Sequence, residues 1–501
     1  MATRPTAAAE PVRDRLRFLL GDELRELKDV APTTTVLDWL RTTERRTGTK
    51  EGCNEGDCGA CTVVVARPRH GRLRYDALNA CIQFVPMLDG GQLLTVEDLA
   101  DDLADGALHP VQQALVDTHG SQCGFCTPGF VMAIFAHLKN GGGTDRDSLN
   151  DALAGNLCRC TGYGPIVDAA ARAAARTKAD RFSTSEAAIL EHLRTLDDGQ
   201  ALALEGQGGR WFAPSSVDQL ADLALAHPDA VLLAGATDVG LWVTKQLRVL
   251  STVIYLGRIP DLRRIDATGN RLTFGAAVAW TDALPVLARH WPDFGELLRR
   301  FGSVQVRNAG TIGGNVANGS PVGDSLPALI ALGAEVHLRK GDRQRTLGLE
   351  DLYLGYARQA REAGELVEAI SLPRPAPDWH FRAYKISKRF DQDISSVCGC
   401  FHLRLEQGRV ADARIAFGGL AAIPKRARAC EAALIGARWN EVAAEDGMAA
   451  LADDFQPISD QRASAGYRLR VARNLLLKVW LETGTGAPPI RLAGPERQAH
   501  A

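Results

Sequence analysis

The sequence predicts a multidomain α+β protein, and three observations carry that expectation. The chain is 501 residues long, too long for one hydrophobic core. Eight of its 11 cysteines fall before Tyr163. Beyond Phe212 the pattern changes to short strands alternating with helices and broken by glycine-rich turns.

The composition excludes several function classes. With 46% hydrophobic and 24% charged residues the chain is an ordinary globular one, and a net charge of −2 leaves no electrostatic footprint for nucleic acid. No apolar run approaches the roughly 18 residues of a membrane span. Ala7, Ala8 and Ala9 are followed by Glu10, Arg13, Asp14 and Arg15 rather than a signal-peptide core, so a cytoplasmic location is expected. Cysteines in such a chain read as metal ligands or redox groups rather than disulfides.

Taken in order, Leu16–Leu20 and residues 24–27 flank Gly21 and Asp22, a strand–turn–strand hairpin. Residues 33–46 carry Val36, Leu37, Trp39 and Leu40 at helical spacing, with Gly48 as the stop. Residues 51–61 read E-G-C-N-E-G-D-C-G-A-C, and Cys81 follows the β-branched run Thr62, Val63, Val64, Val65. Cys53, Cys58 and Cys61 have the C-x4-C-x2-C spacing that wraps three thiolates around a plant-type [2Fe–2S] cluster and leaves the fourth ligand distant. Gly52, Gly56 and Gly59 let the backbone bend and aim N–H groups at sulfur. Zinc favours paired cysteines that close a tetrahedron locally, so the three-plus-one arrangement favours iron–sulfur over zinc or inert buried thiols. These elements predict a β-grasp, ferredoxin-like [2Fe–2S] domain over residues 12–99.

Residues 100–180 are expected to be helical and to contain a quasi-repeat. Pro110 opens a helix that Gly120 ends; Cys123 and Cys126 follow, and Thr127 and Pro128 cap and open a helix reaching Asn140. Residues 145–154 form the next helix, followed by Cys158 and Cys160, and Pro165 opens the last one. Two such hairpins packed face to face place four thiolates at one end of a four-helix bundle, where helix N-termini favour an anionic cluster. Taken alone, this motif leaves zinc and iron–sulfur closely matched; beside the first loop, a second [2Fe–2S] centre is preferred.

Residues 181–205 read as a linker holding a short helix capped by Ser183 and Glu186. Residues 206–375 read as an α/β domain, with residues 230–234 as a buried strand. It carries two glycine-rich turns, L-L-A-G-A-T-D-V-G at 232–240 and R-N-A-G-T-I-G-G-N at 307–315, the latter followed by S-P-V-G-D. Neither is G-x-G-x-x-G, so a Rossmann site is not indicated. Two turns with free backbone N–H groups, in a chain with iron–sulfur signatures, point to a non-Rossmann flavin site. Residues 366–427 read as the start of a separate α+β unit with a hairpin at Gln407 and Gly408; helices run on to Trp480, and the tail from Gly484 is expected to be mobile. The last domain is placed at 378–485. Cys398, Cys400 and Cys430 read as ordinary buried thiols.

These residues carry a resemblance. The 51–61 loop, H-G-S-Q-C-G-F-C-T-P-G-F-V-M at 119–132, G-N-L-C-R-C-T-G-Y-G-P-I at 155–166, the 232–240 turn and T-I-G-G-N-V-A-N-G-S-P-V-G-D at 311–324 resemble, in order, the small subunits of the xanthine dehydrogenase group within the molybdenum hydroxylases. Single motifs are shared with aldehyde oxidases and carbon monoxide dehydrogenases. The resemblance implies a PCMH-type FAD domain and a C-terminal flavoprotein domain. It implies iron–sulfur ligation by Cys53, Cys58, Cys61 and Cys81 and by Cys123, Cys126, Cys158 and Cys160.

It also implies FAD contacts from Leu232, Leu233, Ala234, Gly235, Ala236, Thr237, Asp238 and Val239, and from Thr311, Gly314, Asn315, Asn318 and Asp324. Phe301 is implied against the isoalloxazine, Val367 and Lys385 as further flavin contacts, and Tyr356 near a nicotinamide site. Asn318 and Gly323 depart from the commoner wording, which has Thr and Ser. Glu55 and Gly56 match positions that touch FAD, which implies that the first cluster neighbours the flavin and the helical-domain cluster faces a partner.

The implied activity is electron transfer in purine catabolism. A molybdenum-binding large subunit carrying molybdopterin, in an α2β2 heterotetramer, hydroxylates xanthine, and electrons leave through two [2Fe–2S] clusters and FAD to NAD. No catalytic residue for purine hydroxylation is expected on this chain. The alternatives are the equivalent subunit of an aldehyde or N-heterocycle hydroxylase, and a zinc-binding assembly factor.

Overall fold

A computed structural model describes residues 12–100, 108–175, 180–206 and 208–484. The expectations for residues 7–9 and for the tail beyond Gly484 lie outside these. The chain divides into two compact units, Met1–Pro260 with Gly302–Gly310, and Asp261–Phe301 with Thr311–Ala501. The expected 206–375 domain is therefore divided between the units.

The first unit begins with the expected hairpin. Leu16–Leu20 and Glu23–Leu27 pair antiparallel through Gly21, whose φ of +58° is the left-handed turn conformation that glycine adopts freely. Leu16–Leu20 also pairs parallel with Gln92–Leu94, and the sheet continues through Thr62–Arg69 to Arg72–Asn79. The helix between is shorter than the sequence suggests, Val36–Thr42. Thr35 caps it by accepting from the Asp38 amide. Its end is set by the Thr43 and Glu44 amides, which both close on the Trp39 carbonyl, and by Arg45 at φ +59°, well before Gly48.

The helices Pro110–Asp117, Thr127–Lys139, Arg146–Leu153 and Gly164–Ala174 follow the expected order. Phe130, Ile134, Phe135, Leu149, Ile166 and Ala170 build their common core. A buried polar knot ties the bundle. Asp180 accepts from Lys139 at 2.8 Å, approaches His109 at 3.3 Å, and caps Arg181–Thr184 through the Ser183 amide.

Residues 181–205 are not a linker. They form the helix Arg181–Thr184, capped by Asp180 rather than by Ser183, the helix Glu186–Leu196, which follows Ser185 without a side-chain cap bond, and then the strand Ala201–Gly206. Leu190, Leu193 and Leu196 sit at every third position and sink into the helical core, which is why a segment read from its polar residues as a connector packs as structure. Ala201–Gly206 opens a second sheet, ordered Val12–Arg13, Ala201–Gly206, Gly209–Ala213, Thr252–Tyr255, Val231–Leu233. The expected 230–234 strand appears as its three-residue edge.

In the second unit, one sheet orders Ile265–Asp266, Arg271–Gly275, Leu366–Pro373, Glu335–Lys340 and Arg343–Gly348. Leu366–Pro373 is its central strand, hydrogen-bonded on both edges, so it does not begin the C-terminal unit as residues 366–427 were expected to do. A second sheet holds Trp379–Ile386, Val397–Glu406, Arg409–Gly418 and Lys425–Arg426. The expected hairpin turns at Gln407 (φ +50°) and Gly408 (φ +73°), the left-handed pair of a type I′ turn. Among the described residues no helix is long and apolar enough to cross a membrane.

Leu193→Ala, at a fully buried position, is expected to cost about 2–5 kcal/mol in chemical denaturation; a residue in a free connector would cost nothing. Burial alone would raise the Asp180 carboxyl, but the hydrogen bonds from His109, Lys139 and Ser183 outweigh it and hold it well below the usual carboxylate range. Its stabilisation is therefore complete above the unfolded-state value near pH 4 and is lost as the pH falls further. Melting temperatures measured against pH should show Asp180→Asn less stable than the parent near neutrality, with the gap narrowing in acid.

Candidate functional site

The 51–61 loop is coiled by Asn54, Gly56 and Gly59, all in the left-handed region at φ +54°, +77° and +70°. This winding turns amides onto sulfur. Asp57 and Cys58 donate to the Cys53 sulfur at 3.4 and 3.3 Å, and Cys53 donates to the Cys58 sulfur at 3.3 Å. A Cβ on Gly52 would lie 2.8 Å from the Cys58 sulfur. Cys61 opens the strand Thr62–Arg69, and Cys81 sits in the short turn Ala80–Ile82, joined to it by the Ala80 amide on the Cys61 carbonyl.

The four thiols meet as two pairs. A hydrogen bond from Cys58 lowers Cys53 to about 5 and correspondingly raises Cys58. Cys61 is lowered by its bond with Cys81, and Cys81 is raised by the same bond.

The second set has the same arrangement. Cys126, at the start of Thr127–Lys139, is pushed up to about 12 by burial and by its bond with Cys158. Burial opposes ionisation of Cys158, but hydrogen bonds from Thr161 outweigh it and lower the thiol. Cys123 is lowered by the Phe125 amide and then by Cys160, and Cys160 is raised by its bond with Cys123. The Tyr163 hydroxyl accepts from the Cys158 amide at 3.0 Å, and the Thr161 hydroxyl lies 3.2 Å from its sulfur. Cys123 and Cys160 are exposed.

Four gathered thiols supply the two terminal thiolates that each iron of a two-iron centre takes. Both quartets thus fit [2Fe–2S] clusters by donor chemistry and by amides directed at sulfur.

The first glycine turn is packed directly on this region. Leu232 and Leu233 are strand residues, and Leu233 shares a core with Phe18, Cys61 and Cys81. Gly235 admits no side chain, since a Cβ would lie 1.9 Å from the Ala309 carbonyl. Its own carbonyl accepts from Gln83, two residues beyond Cys81, at 3.0 Å. Ala234, Ala236 (φ +60°), Thr237 and Asp238 lead into the helix Val239–Thr244; burial pushes the Asp238 carboxyl up. Lys245, just past that helix, donates to the Cys53 carbonyl at 2.6 Å and pairs with Glu55 at 3.5 Å, and the Gly56 carbonyl accepts from Asn79.

In the second unit Thr311 caps Ile312–Asn318 by accepting from Gly314 at 3.0 Å. Asn315 accepts from the Ser325 hydroxyl, and Asn318 closes the helix before Gly319 at φ +64°. Asp324 is buried against Lys385 and accepts from Ser395 at 2.5 Å. Val367 is buried, Phe301 packs on Trp280 with ring centroids 5.3 Å apart, and Tyr356 is exposed. A pocket of about 270 Å³ in this unit, walled by Trp291, Trp379 and His402, includes none of these residues. Cys398, Cys400 and Cys430 lie buried in the cores.

Gln83 and Lys245 take part in these contacts and carry no sequence signal of a ligand.

Four models of protein families match in order: a 2Fe-2S iron–sulfur cluster binding domain at residues 20–85, a [2Fe-2S] binding domain at 95–171, the FAD binding domain in molybdopterin dehydrogenase at 204–375, and the CO dehydrogenase flavoprotein C-terminal domain at 382–483. Xanthine dehydrogenase of Emericella nidulans is 32% identical over 91% of this chain and 38% of its own length. Xanthine dehydrogenase 1 of Arabidopsis thaliana is 31% identical over 86% and 37%. The chain thus spans less than two fifths of these relatives. Among solved structures, carbon monoxide dehydrogenase from Hydrogenophaga pseudoflava matches at 28% identity and TM-score 0.51, over 54% of this chain and 94% of that one. Quinoline 2-oxidoreductase from Pseudomonas putida 86 matches at 26% and 0.50, over 55% and 96%. With two iron–sulfur domains, an FAD domain and the flavoprotein C-terminal domain in succession, the chain belongs to the molybdenum hydroxylases, as an iron–sulfur and flavin module of that family.

Proposed function

We propose that the chain is the electron-transfer subunit of a xanthine dehydrogenase, placed between a molybdenum-binding partner, in a heterotetramer, and NAD. When bound, the clusters supply one-electron steps and FAD supplies hydride exchange with NAD. What this chain's residues do is hold and order them. Cys53, Cys58, Cys61 and Cys81 are assigned to one cluster, and Cys123, Cys126, Cys158 and Cys160 to the other. FAD is assigned to residues 232–239 with Glu55 and Gly56, and to Thr311, Gly314, Asn315, Asn318, Asp324, Phe301, Val367 and Lys385, with Tyr356 at the nicotinamide.

One observation carries the order of the relay. Within the first unit, the 232–240 turn rests on the residues around Cys81, and the Cys58 carbonyl accepts from the Leu157 amide, next to Cys158. The first cysteine set therefore lies between the glycine turn and the second set, whose Cys123 and Cys160 are exposed beside Phe125, Leu157 and Tyr163. An exposed thiol pair with apolar neighbours suits a docking face for the partner.

Cys158→Ser is expected to remove one paramagnetic centre of the reduced protein and leave the other. An electron-spin spectrum still showing both would reject the ligand assignment. The two half-reactions should also separate. The full chain, once iron and flavin content are verified, should have its flavin reduced by NADH and pass electrons to an artificial dye, while xanthine reduces nothing until the molybdenum partner is added. Bleaching by xanthine alone would place the substrate chemistry on this chain, and inertness to NADH would argue for another acceptor. If the complex hydroxylates an aldehyde or another N-heterocycle but not xanthine, the specificity is that of a different member of the family.

A further inference from the structure

The two cysteine sets meet at a junction to which no role has been assigned. Gly59 lies between Cys58 and Cys61 at φ +70°, and a Cβ there would stand 2.2 Å from the Gly155 carbonyl and 2.9 Å from Asn156 Cα. On Gly129, in the helix that follows Cys126, a Cβ would stand 2.3 Å from the Gly59 carbonyl; on Gly155 it would stand 2.0 Å from Oε1 of Gln305. Three segments thus approach backbone to backbone where no side chain fits.

Amide side chains complete the contact. Asn156 is buried, and its Nδ2 donates to the Gly59 carbonyl at 3.0 Å and to the Thr62 hydroxyl at 3.2 Å. Its Oδ1 accepts from Nε2 of Gln305 at 2.8 Å, and that nitrogen also reaches the Thr62 hydroxyl at 3.2 Å. The Thr62 hydroxyl donates to the Gly59 carbonyl at 2.6 Å. Gln305 is buried and belongs to residues 302–310, the segment that joins the first unit from late in the sequence. Beside this network the Leu157 amide donates to the Cys58 carbonyl at 3.0 Å. From the Cys58 sulfur to the Cys158 sulfur the route is then covalent except for that single hydrogen bond. Tunnelling decays faster across a gap than along bonds, so the integrity of this bond sets how well the two centres are coupled.

We propose that Asn156 and Gln305 are positioning residues for electron exchange between the two cysteine-held centres: they clamp the Gly59 turn against residues 155–158 and keep the Cys58–Leu157 hydrogen bond closed. Both amide atoms of Asn156 are bonded in this network, while Oε1 of Gln305 is buried without a partner. Removing Asn156 takes away the side-chain bond that ties residues 155–158 to the Gly59 carbonyl, which keeps only the Thr62 amide and hydroxyl of its own turn, and removing Gln305 leaves the buried Asn156 Oδ1 without its donor; either change frees the approach to open. The proposal rests on the assignment of both cysteine sets to [2Fe–2S] clusters and is separable from it.

The test uses the full chain with its cofactors, comparing the parent with Asn156→Ala and Gln305→Ala. Iron, labile sulfide and the two electron-spin signals are measured first; a parent lacking two such signals refutes the cluster assignment itself. With both signals present, the variants should keep the reduction potentials of both centres, because no sulfur donor has been altered. Redistribution of an electron between the centres after flash reduction should slow several-fold in Asn156→Ala and less in Gln305→Ala, and the magnetic interaction between the reduced centres should weaken in the same order. A merely structural role would lower the melting temperature and leave the exchange rate in cluster-replete protein untouched, and that result overturns the proposal. If Asn156→Ala loses a cluster, Gln305→Ala decides alone, since it leaves the bonds from Asn156 to Gly59 and Thr62 in place; an unchanged rate there rejects the clamp.

Discussion

Holding four sulfurs together, each of which prefers its charge in water, is the constraint around which the first unit is built. A buried thiolate is unfavourable unless something answers its charge. In the 51–61 loop that answer is backbone: left-handed residues turn the amides of Asp57 and Cys58 onto the Cys53 sulfur. In the helical domain it is the Thr161 hydroxyl, the Phe125 amide and helix N-termini that begin beside the cysteines. Each set gathers four cysteines, the number that a [2Fe–2S] centre takes as thiolates.

Burial also fixes where the neighbours can go. Cys61 and Cys81 share their core with Leu233 and Trp211, so the sheet that carries the first glycine turn is packed on the ferredoxin-like sheet as one hydrophobic body. The turn cannot drift from the cysteines without opening that core. The helices are fixed by the Asp180 knot and by Leu193, from the stretch that looked like a connector.

The cysteine spacing, the helix–Cys–Cys–helix rhyme and the Gln407–Gly408 turn were legible in the sequence because each depends on residues close together in the chain. The shortened helix after Thr35 was not, since Arg45 adopts a conformation usually left to glycine or asparagine. The linker reading failed because polar composition hid a leucine at every third position. The 206–375 bounds keep Leu366–Pro373 with the strands it pairs with, whereas the reading of residues 366–427 as one separate unit does not, because a partner strand nearly a hundred residues upstream leaves no local trace. Residues 302–310 illustrate the same limit: nothing in V-Q-V-R-N-A announces that Gln305 will bond to Asn156.

The central claim is that both cysteine sets hold two-iron clusters in a chain that also binds flavin. Its most direct test is the metal, acid-labile sulfide and flavin content of the purified chain, read with its visible spectrum. The account predicts iron and labile sulfide in equal amounts, with FAD and broad visible absorption that bleaches on reduction. Zinc without labile sulfide, in a colourless protein, would contradict it.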